Sequence, residues 1–126
     1  MKSEEVSILI VDDEEPIRRI LVSTLSTNYT CVTAESAEEA IKLLAAASFN
    51  LVLTDITMPG ASGIELCEHI NAAHPNTLVV IVSANAGEPG VKRCSAIDFI
   101  AKPFDLSQIV KTVERALHQQ ANNKDN

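Results

Sequence analysis

Apolar positions in this chain follow two rhythms. Short unbroken runs of strand length, rich in β-branched residues, stand at "VSILIV" (6–11), "YTCVTA" (29–34), "LVLT" (51–54) and "LVVIV" (78–82), with a weaker one at "AIDFIA" (96–101). Between them apolar residues recur at three- and four-residue steps, the period of a helix with one buried face. After the first run, Ile17, Ile20, Leu21, Thr24 and Leu25 share such a face, predicted to point inward, and Pro16 suits the first turn. "SAEE" (36–39) and "SGIE" (62–65) pair Ser36 with Glu39 and Ser62 with Glu65 at capping-box spacing. The helices they open are predicted to bury Ala37, Ala40, Ile41 and Leu44 in the first case, and Leu66, Cys67 and Ile70 in the second. A final helix from Asp105 turns Leu106, Ile109, Val110, Val113 and Leu117 toward the sheet. One helical stretch is poor. "NAGEPGVKRC" (85–94) carries Gly87, Pro89 and Gly90, so a fourth helix here is expected to be short or irregular.

Strand and helix therefore alternate throughout, which points to βα units on a mainly parallel sheet. The 126 residues fit one domain, expected over 6–120 with polar tails at 1–5 and 121–126. An apolar fraction of 46% with 21% charged residues is that of a folded chain rather than a disordered one. The formal charge of −7 withholds the basic stripe that phosphate backbones and anionic membranes require, which excludes both as partners. Without a membrane-length apolar run or a leader-like start, the expected location is cytoplasmic. The odd cysteine count, with Cys31, Cys67 and Cys94 far apart in sequence, reads as reduced thiols, and His69, His74 and His118 lack metal-ligand spacing.

In parallel α/β sheets ligands bind beyond the carboxyl ends of the strands. The first run ends in Asp12 and Asp13, the third in Asp55, the fourth in Ser83 and the fifth in Lys102, whereas the second offers only Glu35. Singly, each has an ordinary explanation as cap, turn former or surface charge. Together they place three acids, a hydroxyl and an ammonium on one edge. Carboxylates about 4 Å apart repel by roughly 4 kcal/mol per pair at an effective dielectric near 20, so a cation must offset them. Mg²⁺, which favours a few carboxylates, waters and a phosphate oxygen, fits. Glu14 and Glu15 read instead as first-turn residues favoured by the helix dipole. Lys102 calls for an anion, and beside a metal a phosphoryl group suits it; Asp55 can then attack phosphorus and become an aspartyl phosphate, with Ser83 helping to offset charge. On the same reasoning, removing Asp12 or Asp13 is expected to stabilise the metal-free protein.

The segments "ILIVDDEEPIRRIL", "LVLTDITMPGASGIEL", "VVIVSAN" and "DFIAKPF", in that order, resemble the receiver domain of two-component response regulators, over about residues 6–120. The resemblance implies a flavodoxin-like, doubly wound five-stranded parallel sheet of order 2-1-3-4-5 with helices on both faces. It implies phosphotransfer from a sensor histidine kinase or a histidine phosphotransfer protein onto Asp55, with Mg²⁺ as cofactor. Asp13, Asp55 and the Thr57 backbone carbonyl then correspond to direct metal ligands and Asp12 to a ligand through water. Lys102 corresponds to the phosphate-pairing lysine, followed by a cis bond to Pro103, and Ser83 and Phe99 to the switch hydroxyl and switch aromatic. Thr57 and Asn85 correspond to positions that tune hydrolysis. The chain departs from the pattern between Ser83 and Lys102, where 19 residues are a few short and Ser95-Ala96 lacks a glycine. The deficit coincides with the glycine- and proline-rich stretch, which puts the usual dimer face in doubt and suggests signalling by altered order over 84–95.

Rival functions read less well. A phosphatase of the haloacid dehalogenase type needs a second acid two residues after its nucleophile, and that position is Thr57. A receiver-like interaction module without phosphorylation normally lacks one of the acids or the lysine, all kept here. A flavodoxin needs a hydroxyl- and glycine-rich phosphate cradle where this chain is acidic. Nothing like an effector domain follows residue 120, so the expectation is a protein acting alone by docking or relay, or one domain of a larger regulator with an output domain.

Overall fold

The structure, a computed structural model, describes residues 6–56, 58, 62–84 and 94–124. Five strands, β1 (Ser7–Val11), β2 (Thr30–Ala34), β3 (Leu51–Thr54), β4 (Leu78–Ser83) and β5 (Asp98–Ala101), form one parallel sheet of order β2-β1-β3-β4-β5, as expected. The helices among the described residues are α1 (Glu15–Leu25), α2 (Ala37–Ala46), α3 (Gly63–Ala73) and the final α4 (Leu106–Lys124). The expected irregular helix over 85–94 lies outside the described residues except at Cys94.

Side chains alternate across a strand, so each apolar run feeds two cores. Leu9, Val11, Val52, Val79 and Ile81 pack beneath α2 and α3 with Ala40, Leu44, Leu66 and Ile70. Ile8, Ile10, Leu51, Leu53, Val80, Val82 and Ile100 pack beneath α1 and α4 with Leu21, Leu25, Ile109 and Val113. Both faces being covered is why the runs are continuous rather than alternating. Burying about 1.5–3 kcal/mol per large aliphatic side chain on each face fixes the register. Ile8 is opposite Leu51 and Cys31, and Ile81 is opposite Phe99.

Three details depart from the sequence pattern. Ile20, about 100° around α1 from Leu21, falls on the helix flank and stays 42% exposed, and Leu106, in the first turn of α4, is 39% exposed. Ser62 and Glu65 form the full reciprocal box, but at α2 only half of it forms: Ser36 caps the Glu39 amide, while the Glu39 carboxylate takes the N–H of Glu35 at 2.8 Å. Ser36 is extended, and the carboxylate meets the amide one residue earlier. Third, α4 runs to Lys124, into the stretch expected as a tail from 121. Among the described residues no helix is long and apolar enough to cross a membrane.

Candidate functional site

The parallel register brings the ends of β1, β3, β4 and β5 to one edge. Asp12 leaves β1 tied by its N–H to the Ala34 carbonyl at 3.2 Å, and Asp55 leaves β3 tied by its N–H to the Val11 carbonyl at 3.1 Å. Lys102 leaves β5 with its N–H on the Ser83 carbonyl at 3.0 Å. Neighbouring strands thus hold one another's terminal residues by backbone bonds, and the geometry of the site is that of the sheet.

Asp12, though an acid, is only 2% exposed, so its oxygens need partners. Oδ1 accepts the N–H of Glu14 at 2.9 Å, opening α1 where the Glu14 side chain makes no cap, and Oδ2 accepts the Lys102 ammonium at 2.9 Å. The Asp12 backbone carbonyl accepts Arg18 Nη1 at 2.7 Å, a helix-to-loop tie that sequence reasoning did not single out. Asp55 is also buried, and its Oδ2 accepts the same ammonium at 2.8 Å. Its backbone carbonyl accepts the Thr54 hydroxyl at 2.9 Å. Glu14 stands at the rim, Oε2 3.8 Å from Lys102 Nζ, closer to the site than its reading as a first-turn residue implied.

Burial works to lower the pKa of Lys102, but the hydrogen bonds it donates to Asp55 and Asp12 and their negative charges outweigh it and raise the pKa above the ordinary lysine value. The ammonium is therefore held charged. Among the described residues one ammonium does not balance the acids. Asp12, Asp13 and Asp55 each bring a carboxylate oxygen within 4.8 Å of the others, and Asp13 is exposed at the mouth. A surplus of hard oxygen donors, part buried and part open to solvent, suits a small divalent cation that keeps several waters, and these three residues would hold Mg²⁺.

Of the remaining predicted residues, Ser83 is buried at the end of β4, and Phe99 is half-buried against the α2/α3 core. Ser83 is opposite Ala101 and Ile81 is opposite Phe99, so Ser83 and Phe99 share a sheet face two residues apart. The Lys102-Pro103 bond is cis. Thr57 and Asn85 lie outside the described residues.

Sequence reasoning missed Gly63. It is the first residue of α3, its N–H bonds the Ile56 carbonyl at 3.0 Å, and a Cβ placed there would sit 1.8 Å from the Asp55 carbonyl oxygen. Only a glycine lets the helix start this close to the backbone of Asp55. A glycine directly after a capping serine, where helices prefer other residues, was the available signal.

The family model described as response regulator receiver domain matches residues 8–114. DNA-binding transcriptional regulator NtrC of Escherichia coli (strain K12) is 34% identical over 114 residues, covering 87% of this chain and 24% of that protein. The chain thus spans about a quarter of the length of that relative. Among solved structures, a response regulator receiver domain protein (CheY-like) from Methanospirillum hungatei JF-1 superposes with a TM-score of 0.90 at 26% identity, over 94% of this chain and 98% of that one. Response regulator protein TrrA from Thermotoga maritima, in complex with Mg(2+)-BeF, superposes with a TM-score of 0.79 at 30% identity, over 88% of this chain and 98% of that one.

Proposed function

The chain belongs to the response regulator receiver domain family, and from that premise we propose that Asp55 accepts a phosphoryl group from the phosphohistidine of a sensor histidine kinase or a histidine phosphotransfer protein, in a Mg²⁺-dependent reaction in the cytoplasm. The observation that carries this reading is the placement of Lys102, whose single ammonium bonds Asp12 and Asp55 at 2.9 and 2.8 Å beside a third acid. A phosphoacceptor needs a carboxylate nucleophile with a fixed cation at hand for the incoming charge, and that pair is in contact here.

In the proposed step an Asp55 carboxylate oxygen forms a bond to phosphorus while the bond to the imidazole nitrogen breaks, its electron pair remaining with the ring. Asp13 and Asp55 would hold the metal directly and Asp12 through water, with the Thr57 carbonyl, outside the described residues, as the further direct ligand that the family resemblance implies. Bound Mg²⁺ supplies charge neutralisation at the acids and at the phosphoryl oxygens. Lys102 exchanges its bond to Asp55 for one to a phosphoryl oxygen while Asp12 and the Ser83 carbonyl keep it in place. The Ser83 hydroxyl then turns toward the phosphoryl group, and Phe99, on the same face, moves inward with it. The covalent anion gains contacts from Ser83 and Lys102 in one arrangement and fewer in the other, which is what biases a two-state element. The chain's own chemistry is confined to taking up the phosphoryl group and losing it to water.

A phosphodonor protein must seat beside the crevice to present phosphorus to Asp55. An apolar pocket of about 420 Å³, lined by Ile17, Ile20, Ala84, Lys102, Pro103 and Phe104, opens there and supports that reading. The signal passes on to an output domain or a docked target. The test is incubation with Mg²⁺ and a small acyl phosphate, followed by intact mass. The parent is expected to gain one phosphoryl group and Asp55→Asn none, with chelator abolishing the gain. An unmodified parent that still binds Mg²⁺ would favour an interaction module that is not phosphorylated.

A further inference from the structure

We propose that Cys67 and Cys94 form a second modification site, a dithiol pair that closes to a reversible intramolecular disulfide in the presence of a small-molecule disulfide. The proposal is independent of the phosphoacceptor reading. Cys67 lies on the buried face of α3, Cys94 lies in the approach to β5 against the same core, and the Cys94 thiol is near enough to act on that of Cys67. Twenty-seven residues apart in sequence, they meet because α3 packs on β4 and Cys94 packs against the core that contains Cys67.

Asn71, one turn along α3 from Cys67, holds the pair in register. Its amide bonds both polar groups of the Ser95 backbone, accepting the Ser95 N–H at 2.7 Å and donating to the Ser95 carbonyl at 3.3 Å, while the Cys67 thiol donates to Asn71 Oδ1 at 3.9 Å. The chain beside Cys94 is therefore pinned to the helix that carries Cys67. Closing the bond brings the two sulfurs to about 2.05 Å.

The thiols are unequal, which assigns their roles. Burial, the Cys94 hydrogen bond and the nearby Glu68 carboxylate push the Cys67 thiol up, so it is a poor first nucleophile. Cys94 is half-exposed and reachable from solvent. Its thiolate attacks one sulfur of the small disulfide, breaking that bond and releasing one thiolate. Cys67 then gives its proton to solvent, attacks the Cys94 sulfur and expels the second thiolate. Two protein thiols become one disulfide and one small disulfide becomes two thiols. The bond would join α3, which starts against the Asp55 carbonyl, to the segment entering the strand that leads to Lys102.

The test uses the folded full chain with Cys31→Ser, incubated with excess oxidised glutathione, quenched with acid and alkylated under denaturing conditions. The expected result is loss of both alkylatable thiols without added glutathione mass, a peptide linking Cys67 to Cys94, and recovery of both thiols on reduction. In Cys94→Ser with Cys31 retained, no internal bond forms. Two alkylatable thiols after oxidation, a stable glutathione adduct, or only intermolecular dimers would each overturn the proposal. Because Cys67 is fully buried, Cys94→Ser rather than a Cys67 variant is the deciding control.

Discussion

Lys102→Met removes the cation that, among the described residues, bonds both buried acids, and leaves a side chain of similar reach. In the parent, Nζ lies 2.9 Å from Asp12 and 2.8 Å from Asp55, each a gross attraction of about 6 kcal/mol at an effective dielectric near 20. Asp12 and Asp55 bring oxygens within 4.8 Å of each other, a repulsion of about 3.5 kcal/mol on the same scale. The substitution deletes both attractions and keeps the repulsion, with both carboxylates too buried for water to take over the missing bonds. Breaking a buried pair in this way costs about 3–5 kcal/mol net. In urea with chelator, a slope near 2 kcal/mol/M turns that into a midpoint lower by about 2 M. Saturating Mg²⁺ is expected to restore most of the loss, because a divalent cation among Asp12, Asp13 and Asp55 replaces the missing charge, and to raise the parent's midpoint by less. A loss below about 1 kcal/mol in chelator, or equal Mg²⁺ responses in the two proteins, would refute the claim that these acids are crowded enough to require a cation.

Gly63→Ala puts a methyl 1.8 Å from the Asp55 carbonyl oxygen and 2.9 Å from Ile56 Cα, both backbone atoms; the overpacking should cost about 1–3 kcal/mol or more despite alanine's better helix propensity, and urea unfolding at unchanged or raised stability would contradict the close approach. The earlier expectation for Asp12 and Asp13 divides. Asp13→Ala, at an exposed position, should still stabilise the metal-free protein slightly and abolish the Mg²⁺-induced rise in melting temperature. Asp12→Ala should instead destabilise it, by about 1–3 kcal/mol, because Asp12 bonds Lys102 and the Glu14 amide, and melting of both variants in chelator separates the two outcomes. At alkaline pH the raised pKa of Lys102 means its contribution is fully present below 10.5 and lost as pH climbs through the higher folded value. Tyr29, raised by burial and by Glu114, loses stability in the same direction from 10.0, so the readout is the gap between parent and Lys102→Met, which should narrow above pH 10.5; a constant gap would contradict it.

How much of this was legible in the sequence follows from which interactions are local. Strand runs and parity predicted the sheet because the β1, β3 and β4 runs are buried on both faces, and Leu51–Thr54 begins and ends where its apolar run does. The convergence of the ends of β1, β3, β4 and β5 was legible because the edge of a parallel sheet is fixed once the strands are. That Lys102 contacts Asp12 and Asp55 together was not, since those partners lie 90 and 47 residues away. The same holds for the Arg18 bond to the Asp12 carbonyl and for Gly63 against Asp55, where a backbone contact across elements selects the residue. Ile20 and Leu106 were misplaced because periodicity gives the direction of a helix face but not its width, and the end of α4 was misplaced because polar residues can continue a helix that leaves the core. The meeting of Cys67 with Cys94 had no sequence signal, because packing, not spacing, brings them together.

The most direct test of the central claim is a crystal structure of the chain grown with magnesium and beryllofluoride. The expected result is beryllium bonded to an Asp55 oxygen, a magnesium ion among Asp12, Asp13 and Asp55, and the Lys102 ammonium moved from Asp55 onto a fluoride. A crevice without either group, with Lys102 still bonded to Asp12 and Asp55, would contradict it.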